Sequence, residues 1–234
     1  MRMKAVIMAA GRGTRLHPLT RKKPKCLLET GGQTLLGRSL KILRGCGIKD
    51  IGIIVGFEKE QIIARHGRGC RIIVNPFYPL CNNMGSLWFA RDFAGGGPFA
   101  ALHADLVYEP EILTGALRGC RAGEAACLAV DFGPVDAEAM KARVSVRGLL
   151  LDGGKDIAKP DGEWTGISLV RDSRGFFKAI EDELMSGGHG SYDMAAYLRL
   201  ARAGGKVRCV PTGGLCWKEI DFADDYRVAR ELFK

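Results

Sequence analysis

Residues 9–16, Ala9-Ala10-Gly11-Arg12-Gly13-Thr14-Arg15-Leu16, carry the strongest chemical signal in the chain, and Pro18-Leu19-Thr20 and Pro24-Lys25 follow. An apolar run delivers small residues and two glycines to a loop. With so little side-chain bulk, backbone N–H groups can approach phosphate oxygens closely. Arg15 and Lys25 add fixed positive charge beside them. The pattern reads GxGxxL, so it lacks the third glycine of a dinucleotide fingerprint and the GK[ST] ending of a P-loop. The bland alternative is a generic strand-to-loop turn, which would not call for the Arg, Pro and Lys that follow. Such a loop suits a polyphosphate.

Composition narrows the partner. The chain has 234 residues, 47% hydrophobic and 26% charged, with a net charge of +9. Its basic residues are scattered except for the cluster from Arg12 to Lys25. That distribution favours one anion pocket over a nucleic-acid-binding stripe, so no nucleic-acid partner is expected. None of the eight cysteines forms a CxxC pair or a zinc-spaced cluster. Most lie in apolar runs, as reduced core residues of a cytosolic protein do. Arg2 and Lys4 precede a short apolar run that ends at Gly11, below the ~7–15 residues of a signal-peptide core. No run approaches the ~20 apolar residues of a membrane span. The expected location is the cytoplasm, with no membrane partner.

The elements that must position the loop are legible from periodicity. Met3 to Ala10, Ile51 to Val55, Ile72 to Val74, Phe99 to Ala104 and Ala125 to Val130 read as buried strands. Thr34 to Cys46, Glu58 to Arg65, Gly85 to Phe93 and Leu113 to Arg121 read as the helices between them. This rhythm predicts an α/β fold with a mainly parallel sheet and helices on both faces, and ligands at the carboxyl edge of its strands. After about Phe132 the rhythm changes. Arg143 to Val146 and Leu149 to Leu151 suggest an antiparallel hairpin, and Glu163 to Val170 a strand returning to the sheet. Ser173 to Met185, Tyr192 to Ala203 and Ala223 to Leu232 are predicted helices, with strands at Lys206 to Val210 and Cys216 to Glu219. The prediction is one Rossmann-like domain over 1–234, with a nucleotide-binding half at 1–131 and an acceptor-binding half at 132–234.

Ala9 to Leu16 with Pro24-Lys25 resembles the signature of the nucleotidyltransferases that make nucleotide-activated sugars, alcohols and phosphonates. The likeness continues through Asp50-Ile-Gly-Ile-Ile-Val-Gly56-Phe57, Asn82-Asn83-Met-Gly-Ser86-Leu87 and Trp217-Lys-Glu219-Ile-Asp221, with Asp225 beyond. The Asn-Asn-x-x-Ser-Leu segment and the Glu-Ile-Asp ending look most like the phosphocholine and phosphonate cytidylyltransferase branch. The resemblance implies a nucleotide-diphospho-sugar-transferase-like fold and magnesium-dependent transfer of CMP from CTP to a small phosphorylated acceptor. It implies that Ala9, Ala10, Gly11, Gly13 and Thr14 frame the nucleotide, with Arg15 and Lys25 on the triphosphate as the catalytic cations. Asn83 and Ser86 then lie near the base and ribose, and Asp105, Glu219 and Asp221 hold Mg2+.

The chemistry independently requires such residues. Attack on an α-phosphorus brings anions together, so cations must neutralise the developing charge. Magnesium takes hard oxygen ligands, typically one or two carboxylates with phosphates and water. Asp105 ends a predicted strand, and in an extended segment Glu219 and Asp221 point to one side. Each has a plainer alternative as a helix or turn cap, as does Asn83.

The acceptor belongs with residues 132–217. A choline headgroup would want an aromatic cage, for which Trp164, Tyr192 and Trp217 are candidates, with Asp193 as counter-charge. Core packing or capping is the alternative for each. An acidic residue that the family commonly places two positions after the tyrosine is Met194 here, which weighs against trimethylammonium and leaves amino or hydroxylated phosphonates. Lys141, Arg143, Lys155 and Lys159 are candidates for the acceptor's anionic group, and Lys141 and Lys159 look most like family positions near the site. His103 is expected to be satisfied beside the core. The rival acceptors are a sugar-1-phosphate or polyol phosphate. The rival class is a non-catalytic nucleotide-binding regulatory module, and a monomer or homodimer is expected.

Overall fold

Strand β1 (Lys4–Ala9) lies at the centre of the sheet because Ala5 through Ala9 are all buried and both of its edges are paired. The computed structural model describes residues 3–234, so Arg2, one of the two basic residues before the first apolar run, lies outside the described residues. A small hairpin, β2 (Glu29–Thr30) and β3 (Gln33–Thr34), leads into α1 (Leu35–Gly45). Thr34 caps that helix, its Oγ1 accepting from Gly37 N at 2.9 Å. Strand β4 (Asp50–Val55), α2 (Lys59–His66) and β5 (Arg71–Val74) follow, then α3 (Asn83–Trp88), α4 (Arg91–Ala94) and β6 (Phe99–His103).

The chain continues through β7 (Leu106–Tyr108), α5 (Pro110–Gly119), β8 (Ala126–Phe132), the hairpin β9 (Lys141–Val144) and β10 (Leu150–Gly154), and β11 (Gly162–Val170). It closes with α6 (Ser173–Met185), α7 (Met194–Arg202), β12 (Val207–Pro211), β13 (Trp217–Glu219) and α8 (Ala223–Leu232).

The sheet runs β12-β8-β11-β6-β1-β4-β5, with β9 and β10 added on the first half of β11. All these strands run one way except β11 and β10. The sheet is thus mixed and mainly parallel, as predicted. Alternation along β1 feeds two cores. Val6 and Met8 face α3, α6 and α7 through Met84, Phe176 and Tyr197. Ala5, Ile7 and Ala9 face α1 and α5 through Leu36, Leu40 and Leu113. No helix among the described residues is long and apolar enough to cross a membrane.

Three departures from the predicted elements bear on the site. The helix expected over Gly85 to Phe93 starts at Asn83 and breaks after Trp88, where Phe89 N and Ala90 N bond back to Ser86 O and Leu87 O in a tight turn. The helix expected from Tyr192 starts at Met194, because Asp193 N instead donates to the Asn83 side chain at 2.9 Å. The three-residue β7, absent from the sequence reading, pairs with β13 so that Glu219 lies opposite Leu106. Ile220 N then donates to Asp105 O at 3.1 Å, which brings the last predicted carboxylates beside Asp105.

Candidate functional site

A cleft of about 300 Å³ opens at the carboxyl ends of β1 and β6. Ala9, Ala10, Gly11, Gly13, Thr14, Arg15, Lys25, Asn83, Ser86, Asp105, Tyr192, Glu219 and Asp221 all line it. The structure therefore brings most of the predicted site residues to one place; Lys141, Lys159 and Asp193 do not line the cleft.

The glycine loop is shaped from two directions. Around Gly11 there is open space where a Cβ would stand. Gly13 adopts φ 60°, a left-handed conformation that suits glycine, and a Cβ there would come 3.1 Å from Lys25 Cβ. Thr20 Oγ1 donates to Gly13 O at 2.6 Å and fixes the turn. Lys25 sits at the start of a short 3-10 turn over Lys25–Leu27, aimed into the cleft under this loop.

Charges converge on that lysine. Its Nζ lies 2.5 Å from Asp105 Oδ2 and 2.8 Å from Asp221 Oδ1, and Arg15 Nη2 lies 2.9 Å from Asp221 Oδ2. Burial opposes the charge on Lys25, but Asp105 and Asp221 outweigh it and hold its pKa above the ordinary value. Burial likewise opposes the Asp105 carboxylate, and Lys25 and His103 keep its pKa low. Both groups are therefore ionised at neutral pH.

Asp105 Oδ1 is buried and has no hydrogen-bond partner among the described residues. One donor atom each from His103, Asp105 and Glu219 lies within 4.8 Å of the others. An orphaned carboxylate oxygen beside a second carboxylate fits a hard divalent cation such as Mg2+, which takes oxygen ligands; both nitrogens of His103 face carboxylates instead. Asp221 stands slightly apart from this trio, since both its oxygens pair with Lys25 and Arg15.

His103 is more than a satisfied core histidine. It lines the cleft, with Nε2 3.1 Å from Asp193 Oδ2 and Nδ1 3.6 Å from Glu219 Oε1. Burial pulls its pKa down, but those two carboxylates raise it well above 6.5. Its spacing of two from Asp105 was the only sequence signal for it.

Asn82, not Asn83, is the N-cap of α3, its Oδ1 accepting from Asn83 N at 2.8 Å. The Asn83 amide instead clasps Asp193: Nδ2 donates to Asp193 Oδ1 at 2.9 Å, and Oδ1 accepts from Asp193 N at 2.9 Å. Ser86 Oγ accepts from the fully buried Asn75 Nδ2 at 2.9 Å. In the sequence Asn75-Pro76 marks only the end of a strand; the place of Asn75 behind Ser86 follows from the folded chain.

The acceptor side requires corrections. Asp193 is fully buried, and both its oxygens are used by Asn83 and His103, so it presents no counter-charge to the cleft. Lys141 Nζ donates to Ala137 O at 2.8 Å and to Lys155 O, so its ammonium is spent on backbone carbonyls. Lys159 is exposed in the turn before β11, where it adopts φ 51°. The hairpin lysine that does line the cleft is Lys155, 3.0 Å from Glu138 Oε2 and 5.4 Å from the Tyr192 ring centroid. The three aromatic candidates do not form a cage. Trp164 is 2% exposed and packs edge-on against His103, while Trp217 Nε1 donates to Asp131 Oδ2 at 2.9 Å outside the cleft lining.

Residues 5–162 match the family described as the MobA-like NTP transferase domain, and the chain belongs to that family. It is similar to the CMP-5'-(3-aminopropyl)phosphonate synthase of Streptomyces rubellomurinus, with 29% identity over 97% of this chain and 38% of that protein. It is also similar to the 2-aminoethylphosphonate cytidylyltransferase of Lancefieldella rimae, with 35% identity over 46% of this chain and 44% of that protein. The chain spans less than half the length of these two relatives in the matched regions. Its fold is that of the CTP:phosphocholine cytidylyltransferase of Streptococcus pneumoniae, with a TM-score of 0.80 covering 100% of both chains at 23% identity.

Proposed function

We propose that this member of the MobA-like NTP transferase family is a cytidylyltransferase that moves CMP from CTP onto a small phosphonate- or phosphate-bearing acceptor and releases pyrophosphate. The observation that carries this reading is the meeting of Arg15 and Lys25 with Asp105 and Asp221 under a glycine loop that leaves room for phosphate.

An acceptor oxygen attacks the α-phosphorus; the new O–Pα bond forms as the bond from Pα to the bridging oxygen breaks, and pyrophosphate leaves. Arg15 and Lys25 bind the triphosphate, whose negative charge replaces that of the carboxylates they pair with in the free protein. Lys25 stays protonated throughout, since Asp105 and Asp221 hold its pKa high in the free protein and the triphosphate's negative charge would do so in their place. Asp105 and Glu219, with His103 beside them, would hold Mg2+, with Asp221 close by. The ion would supply neutralisation of the phosphate charge that side chains alone leave incomplete. Asp193 keeps Asn83 and His103 in place from behind the cleft wall.

For the acceptor we read Lys155 as the group that binds its anionic end, with Glu138 and Tyr192 beside it. The lack of a three-ring cage and the similarity to aminoalkylphosphonate enzymes favour an acceptor such as 2-aminoethylphosphonate over one bearing trimethylammonium.

Pyrophosphate release, measured with CTP, UTP, ATP and GTP crossed with 2-aminoethylphosphonate, other phosphonates, phosphocholine, polyol phosphates and sugar-1-phosphates, tests this reading. CTP with a phosphonate is expected to give the highest turnover. Equal turnover of all four nucleotides would remove the cytidylyl assignment, and a preference for sugar-1-phosphates would remove the acceptor assignment.

A further inference from the structure

At the opposite edge of the sheet from the cleft, where α5 ends and β8 begins, Cys120, Glu124 and Cys127 are buried together. One donor atom of each lies within 4.8 Å of the others. Cys127 Sγ donates to Glu124 Oε2 at 3.8 Å, and that oxygen also accepts from Arg121 N at 2.7 Å. Glu124 Oε1 accepts from Arg208 Nε at 2.5 Å. Arg171 Nη1 reaches the same corner, donating to Cys120 O at 3.2 Å.

The two guanidinium groups discriminate between the chemistries open to such a trio. A divalent cation would have to sit beside both, whereas a thiolate is stabilised by them. The Cys127 thiol and Arg171 pull Cys120 below the ordinary thiol range against the effect of burial. Cys127 is pushed the other way, by Cys120 and by burial. The two sulfurs also differ in place: Cys120 is the more exposed and has Arg171 beside it, while fully buried Cys127 donates to the Glu124 carboxylate.

We propose that Cys120 and Cys127 are a peroxide-oxidisable dithiol, with Cys120 attacking, Cys127 resolving and Glu124 accepting the resolving proton. The Cys120 thiolate attacks one oxygen of a hydroperoxide; the O–O bond breaks, leaving a sulfenic acid and a hydroxide that takes up a proton to become water (or an alcohol, for an organic hydroperoxide). Cys127 passes its proton to Glu124 and attacks the Cys120 sulfur. The S–O bond breaks, the S–S bond forms, and the departing hydroxide takes that proton as water. Two thiols are oxidised to one disulfide while one peroxide is reduced. Hydrogen peroxide is small enough for a cysteine that is 7% exposed. The bridge would tie the end of α5 to β8 and owes nothing to the nucleotide reading.

The test treats the fully reduced protein with hydrogen peroxide, blocks free thiols and maps the peptides without reduction. The exposed Cys216 serves as internal control that the oxidant has acted. A Cys120–Cys127 disulfide that dithiothreitol reverses is expected. Oxidised Cys216 with Cys120 and Cys127 both still free would overturn the proposal, as would bridges from either to other cysteines. Glu124→Gln should slow bridging about tenfold or more without changing Cys216 oxidation; an unchanged rate would remove Glu124 as the base. Should that variant not fold, the wild-type map still decides on the pair.

Discussion

Asp105 and Asp221 face each other across a single ammonium group, with Lys25 Nζ 2.5 Å from one and 2.8 Å from the other. That ammonium, with Arg15 on the other Asp221 oxygen, offsets the repulsion between the two carboxylates. On the proposed function, a triphosphate would take over the two cations and leave the carboxylates to a metal ion.

Lys25→Met should therefore lower kcat about 10²–10³-fold, the usual cost of removing one main electrostatic group. It should also lower Tm, since a buried charge pair broken from one side costs about 3–5 kcal/mol. Initial rates of pyrophosphate release and a thermal melt check both. A variant with normal kcat and a raised acceptor KM would place Lys25 on the acceptor instead.

Two glycine substitutions should separate shape from space. Gly13→Ala forces a Cβ into a left-handed conformation and to 3.1 Å from Lys25 Cβ, so it should cost about 1–2 kcal/mol in stability as well as activity. Gly11→Ala meets nothing within 4 Å in the free protein. It should melt like the wild type yet raise KM for CTP, because its methyl occupies room meant for phosphate. Unchanged CTP kinetics for Gly11→Ala would show that this space is not used.

Lys155→Ala should raise the acceptor KM about tenfold, a loss of about 1.4 kcal/mol, and leave KM for CTP unchanged. Lys141→Ala and Lys159→Ala serve as comparisons, since neither ammonium reaches the cleft. A shift in the CTP constant alone would assign Lys155 to the triphosphate.

Much of this was written in the sequence. The uninterrupted apolar run of β1 followed by two glycines announces a central parallel strand and its loop, and α6 and α8 begin and end where their periodicity does. Asp105 was legible because it terminates an apolar run. Asp193 was misread because burial depends on a partner distant in the chain, Asn83, that periodicity cannot supply. The choice between Lys155 and its neighbours turns on contacts the sequence does not show: Lys141 is held by the carbonyls of Ala137 and Lys155, while Lys155 lines the cleft. Strand β7 is too short for alternation to reveal, yet its pairing with β13 is what carries Glu219 to Asp105.

The Glu124–Arg208 pair gives a pH prediction away from the cleft. Burial would raise the Glu124 pKa, but Arg121 N–H and Arg208 outweigh it and hold it below the ordinary value of 4.5. A depressed folded-state pKa adds stability above the unfolded value and loses it as pH falls through the folded one. Tm should thus drop more steeply on acidification below pH 4.5 in the wild type than in Glu124→Gln. Parallel acid limbs would show that the pair contributes nothing to folding.

The most direct measurement is pyrophosphate release from CTP and 2-aminoethylphosphonate by wild type and Asp105→Asn, each with magnesium and with the metal chelated. Wild type should turn over only with the metal, and Asp105→Asn should lose at least about 10²-fold of that rate while remaining folded. Release at the wild-type rate by Asp105→Asn, or undiminished release without metal, would contradict a site in which this carboxylate and the lysine beside it grip a metal–triphosphate complex.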